Sequence, residues 1–250
     1  MDSKNDKKEY IRSLIIDAAK IYKDNFAGKC FMYIHGDEYF EVVFETKQFK
    51  HLTGVESSVD ANNFYKYAKR DELTCSQFGF SIRHPFKTAK KKLLCFPKLH
   101  QLTTDTVCML KDLETVTITY KIGITNLKFT LGLVDKDDTS NIFIPQSLRI
   151  NDDTIEKSKD AEFIDFILVK DGAAGKYTDI SYADKTKTFP SHLLPLTSKK
   201  LKQKMFDEGY IVHSYELNDL LPTILADAYT ESESLNVDIK ENKELLTTKE

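Results

Sequence analysis

The sequence predicts an α+β domain, with N-terminal helices and a β-hairpin followed by an antiparallel four-stranded meander. Three observations predict it. Apolar residues recur at three- and four-residue spacing from Tyr10 to Phe26. An alternating run, Tyr39 to Thr46, follows a short apolar run and a Gly-Asp turn. From Val116 onward the chain changes to β-branched runs separated by short polar turns.

Taken in order, the first helix buries Ile11, Leu14, Ile15, Ala18, Ala19 and Tyr22 on one face, and Gly28 stops it. Phe31 to Ile34 and Tyr39 to Thr46 are the hairpin strands, joined through His35-Gly36-Asp37-Glu38. Phe49-Lys-His-Leu-Thr-Gly54 follows, with His51 at an expected strand end. Asp60 to Lys69 reads as a short helix with Asp60 as N-cap. Thr74 to Phe78, Pro85 to Leu94 and Leu99 to Leu110 read as further helices, with Pro97 interrupting the basic one. The four expected strands are Val116 to Ile124, Leu127 to Val134, Ile142 to Ser147 and Phe163 to Val169. Thr125-Asn126 links the first two, and Pro145 places the third at an edge or strand end. Tyr177 to Tyr182 reads as one more strand, with weaker helices at Ser198 to Glu208 and Leu217 to Ala226. The expected division is a domain over residues 1–170, an extension over 171–230 that packs on it or binds a partner, and an acidic, disordered tail over 231–250.

With 250 residues and 41% hydrophobic content, the chain has material for one large domain or two small ones. No run approaches the roughly 18 apolar residues of a membrane span, and the N-terminus lacks a secretory apolar block. These features point to a cytoplasmic protein. Cys30, Cys75, Cys95 and Cys108 have no Cys-x-x-Cys spacing, so buried thiols are expected rather than zinc. No other cofactor is implied. Glycine loops for nucleotide phosphates, a Gly-x-Ser-x-Gly elbow and a His-x-x-x-His helix are all missing from the sequence.

The net charge is only −3, yet its distribution is uneven. Between Leu73 and Thr104 there is no acidic residue, while Arg83, Lys87, Lys90, Lys91, Lys92 and Lys98 all fall inside, with His84 and His100. Phe78, Phe80, Phe86 and Phe96 interleave with them. Such a stretch can stack bases and neutralise phosphates, and it can equally be an amphipathic helix with buried rings.

Several stretches, in order, resemble one family: Ala18 to Asn25, Phe49 to Gly54, Ala61 to Tyr65, Lys92 to Leu99, the strands around Tyr120-Lys121 and Thr130-Gly132, and Phe143 to Ser147. The family is the phage-associated barnase–EndoU–colicin–RelE-like nucleases, in particular the fourth group, and the resemblance spans about residues 8–170. It implies a small antiparallel sheet backed by helices, a metal-independent ribonuclease of toxin-like character, and carriage by phages or mobile elements in a bacterial host.

Such cleavage needs a base for the 2′-OH proton, a cation for the phosphorane, and an acid for the leaving 5′-oxygen. His51 is the expected acid or base. Lys121 and Arg149 are the expected phosphate clamp, with Ser147, Thr130 and Tyr120 as hydroxyl donors. RNA is the expected partner, with an antidote or host target protein as a further one. Two other functions fit the residues: a nuclease fold that inhibits a host protein without catalysis, as anti-defence or anti-CRISPR proteins do, and a nucleic-acid-binding protein that does not cut.

Overall fold

The computed structural model describes residues 4–115, 119–137, 141–150, 156, 158–172 and 175–211. The chain divides into a unit of residues 1–187 and a second beginning at Thr188. The predicted helix Leu217 to Ala226 and the tail over 231–250 lie outside the described residues. Among those described, no helix is long and apolar enough to cross a membrane.

In the first unit, α1 (Lys4–Asn25) buries Ile11, Ile15, Ala18, Ala19 and Tyr22, the stripe its periodicity predicts. Gly28 then takes φ 81°, a left-handed turn open to glycine, and its N–H bonds Phe44. β1 (Lys29–His35) and β2 (Glu38–Val43) form the predicted hairpin around Gly36-Asp37. α2 (Gln48–Thr53) comes next, β3 is Glu56–Ser57, and α3 is Ala61–Lys69. Asp60 caps α3 as predicted, accepting from the Asn63 N–H at 3.0 Å.

Beyond α3 the expectations and the structure part in several places. Thr74 to Phe78 is a turn leading into β4 (Phe78–Gly79), which pairs with β3. α4 (Phe86–Cys95) begins at Pro85 as expected, and Phe96–Lys98 continues as one 3-10 turn around Pro97. The helix predicted from Leu99 to Leu110 shrinks to α5 (Gln101–Thr104), and Cys108–Glu114 is instead strand β5. Val107, Met109 and Leu110 are all buried. A short unbroken apolar run has no periodicity, and here the sheet claims it.

The rest of the unit is sheet: β6 (Thr119–Thr125), β7 (Phe129–Asp135), β8 (Ile142–Ile150), β9 (Asp160–Phe163), β10 (Phe166–Asp171) and β11 (Asp179–Ala183). The expected four-stranded meander is corrected to one sheet of nine strands, ordered β11-β10-β1-β2-β8-β7-β6-β5-β9. The predicted fourth strand, Phe163 to Val169, is two strands broken at Ile164-Asp165. β9 pairs with β5 while β10 pairs with β1, so the sheet curls until this link joins its far sides. There Ile164 N–H bonds Val107 and Asp165 N–H bonds Ile34, at 3.0 and 2.8 Å. Beside the link, Glu162 holds His35 at 2.8 Å and Lys111 at 2.5 Å.

β8 is neither an edge nor a short strand. It lies between β2 and β7, and it tolerates Pro145 for two reasons. Its pairing with β2 covers only Ile142 and Phe143, so no ladder bond to β2 is needed at Pro145. On the β7 side the register slips between Gly132–Ser147 and Leu133–Pro145, leaving Gln146 as an extra, bulged residue. Helices α2 and α4 pack against this same strand. A cluster of rings, among them Tyr22, Phe26, Phe44, Phe49, Tyr65 and Phe96, fills the space beneath α1 and α2.

The second unit contributes a 3-10 turn, Ser191–Leu196, and α6 (Lys199–Asp207). Ser198 caps α6 by accepting from the Leu201 N–H, and Leu201 and Met205 are buried.

Candidate active site

The Phe49 to Gly54 motif builds one wall of the site, though on a helix rather than at a strand end. Phe49 and Leu52 are three residues apart and wholly buried, which leaves the intervening Lys50 and His51 facing outward. Gly54 ends α2 with φ 73°. A Cβ there would stand 2.8 Å from Cδ of Lys92, so glycine serves both the left-handed cap and the close approach of the lysine stem.

His51 opens onto a cavity of about 820 Å³. The opposing wall is the β3–β4 ribbon, which supplies Glu56, Gln77 and Phe80. His84, just before α4, and Lys92, on α4, also line it. Tyr120 from β6 and Gln146 with Ser147 from β8 form the floor. Successive strand residues normally face opposite ways, and the bulge at Gln146 lets two neighbours line the same space. A smaller cavity of about 290 Å³ adjoins at Lys92 and Ser147, and Lys91 and Arg149 line it.

The site is electropositive and partly dry. Burial, more than Arg149 nearby, pulls Lys92 down to about 8. His51 is held below its ordinary value, chiefly by burial and then by the charges of Lys50, His84 and Lys92. Its imidazole therefore stays neutral at pH 7 and can accept a proton. One carboxylate is present, Glu56, which accepts from Ser81 Oγ at 2.6 Å. Among the described residues, no group of three or more His, Cys, Asp or Glu stands close enough to hold a metal ion.

Of the residues expected from the sequence, His51, Tyr120 and Ser147 share the main cavity and Arg149 lines the adjoining one. Two do not converge. Lys121 follows Tyr120 on β6 and so leaves from the other face, where it pairs with Asp135 at 3.2 Å and lies over the Phe143 ring. Thr130 is buried and donates to Thr125 Oγ1 at 2.9 Å. Within the basic stretch, Lys91 and Lys92 reach the cavities. Lys90 instead sits over the Tyr10 ring, and Arg83, Lys87 and Lys98 are exposed at the surface. Phe78 and Phe96 are core residues, while Phe80 keeps part of its ring open.

Sequence reasoning missed His84 and Gln146 as site residues. His84 stood out only as one charge in a basic run. Gln146 had a weak signal, since a proline inside a strand is a common marker of a bulge.

Gly132 holds this floor together. A Cβ on it would lie 3.0–3.1 Å from three atoms of the Tyr120 ring. Gly132→Ala is expected to push that ring into the cavity and destabilise the protein by about 1–3 kcal/mol. Urea unfolding measures the loss, and an unchanged midpoint would show that the ring yields freely.

The family model described as phage-Barnase-EndoU-ColicinE5/D-RelE like nuclease4 matches residues 14–186. No curated protein and no solved structure matches the chain.

Proposed function

Since the chain belongs to the phage-Barnase-EndoU-ColicinE5/D-RelE like nuclease4 family, we propose that the His51 cavity cleaves RNA by general acid–base catalysis. The observation that carries this reading is the sharing of one cavity by His51, His84 and Lys92. Neutral His51 takes the proton of a ribose 2′-OH. The freed O2′ attacks the adjacent phosphorus, and the bond from phosphorus to O5′ breaks. His84, as the general acid, supplies the proton to O5′, so one proton is taken and one given. Lys92 and Arg149 draw the non-bridging oxygens toward the junction of the two cavities, and Ser147 and Tyr120 donate hydroxyl hydrogen bonds there. The products are a 2′,3′-cyclic phosphate and a 5′-hydroxyl.

In this reading the protein is a toxin-like or phage-borne ribonuclease acting in a bacterial cytoplasm, against which an antidote protein is needed. Incubating the purified chain with RNA in EDTA tests the chemistry. Cyclic-phosphate termini are the expected result. A 3′-hydroxyl terminus, or RNA left intact, would overturn it. Intact RNA with stoichiometric capture of one host protein would favour inhibition without catalysis.

A further inference from the structure

The cavity has features that phosphate chemistry does not require. Phe80 is fixed edge-on between Phe78 and Phe86, with ring centroids 6.2 and 5.3 Å away, and is still partly exposed. A ring held this way is a surface on which a planar base stacks at little entropic cost. Gln77, lining the same cavity, uses its carbonyl Oε1 to accept from the Thr74 N–H at 2.8 Å. Its NH₂ has no hydrogen-bond partner among the described residues. The Gln146 carboxamide has none either, and the β8 bulge presents it to this space.

Two carboxamides with groups left open, lining one cavity with a fixed aromatic face, offer the donors and acceptors that a polar planar ligand uses. We infer that this part of the cavity is a nucleobase subsite in which Gln146 reads the hydrogen-bonding edge, Gln77 donates a second bond, and Phe80 stacks. The inference rests on the cleavage reading for the placement of the phosphate, at Lys92 and Arg149. A volume of about 820 Å³ accommodates one nucleotide with its base and sugar. The consequence is cleavage at selected bases rather than at every phosphodiester.

Gln146 carries a donor and an acceptor side by side, whereas a glutamate in its place only accepts. Gln146→Glu is therefore expected to shift preference toward guanine, whose N1–H and N2–H₂ are adjacent donors. The experiment maps cleavage positions on a mixed-sequence RNA and, separately, measures binding of the four 3′-nucleoside monophosphates. The unaltered chain should favour one base by about tenfold or more, worth roughly 1.4 kcal/mol. Gln146→Ala should reduce that ratio several-fold, and Gln77→Ala gives a second reading should the first variant fold poorly.

The outcomes separate the two readings. Cleavage with no base preference, or with one that Gln146→Ala and Gln77→Ala leave unchanged, overturns the subsite and spares the catalytic reading. Base-selective binding without cleavage does the reverse. Failure of all four nucleotides to bind overturns the subsite as well.

Discussion

Lys92→Met is expected to make the protein more stable and nearly inactive. Burial and Arg149 lower the Lys92 pKa from 10.5 to about 8. Below pH 8 the lysine is protonated in both the folded and the unfolded chain, so the full cost of holding that charge is present at pH 7. Between pH 8 and 10.5 the unfolded chain binds more protons than the folded one. Stability therefore rises with pH across that window, and above it the cost is gone. Methionine fills similar space without charge. The gain at pH 7 is expected to be roughly 1–3 kcal/mol, or several degrees in Tm. The same change removes a cation from the proposed phosphate site, with an expected loss of about 10²–10³ in kcat. Thermal melts at pH 7 and pH 10.5 decide the first part, because the gain should shrink at the higher pH. A methionine variant less stable than the parent at pH 7 would show that the ammonium is well compensated in place.

His51→Ala is expected to lower kcat/KM by about 10²–10⁴ while leaving the fold intact, since the imidazole faces outward from α2. The pH profile of the parent enzyme carries the finer test. Burial and the neighbouring cations hold His51 below 6.5, so the rising limb should fall below pH 6.5. Lys92 loses its proton near pH 8, and the general acid His84 must also keep its proton, so activity should decline at higher pH. Lys92→Arg keeps a charge at every accessible pH and should remove the part of the decline that follows Lys92 near pH 8, while leaving the rising limb. A rising limb at or above 6.5 that survives in His51→Ala would assign it to another group.

Local features of this fold were legible because they have local causes. The α1 stripe, the Gly36-Asp37 hairpin and the Asp60 cap all act within a few residues. Cys108–Glu114 was misread because a four-residue apolar run suits a helix or a buried strand, and only β6 and β9 on either side decide. His51 was found but placed on the wrong element. The spacing of Phe49 and Leu52, followed by Gly54, was a helical signature inside the very motif that drew attention. The site was legible in part. Lys121 and Arg149 looked equivalent in sequence, yet strand alternation sends one outward, while Lys92 reaches the His51 cavity past Gly54, an approach that no spacing reveals. Convergence of α2, α4, β6 and β8 is a property of tertiary packing.

The curl of the sheet constrains how this protein is made. β1 meets β2 as soon as the hairpin is synthesised, but its other neighbour, β10, is among the last parts of the unit to appear. Until Asp171 has been added, β1 keeps an unpaired row of amides and carbonyls, a template for sticking to other chains. Pairing so distant in sequence also makes folding slow. Shortened versions that end after β8 retain His51, His84, Lys92 and Arg149, yet they would clump rather than cut.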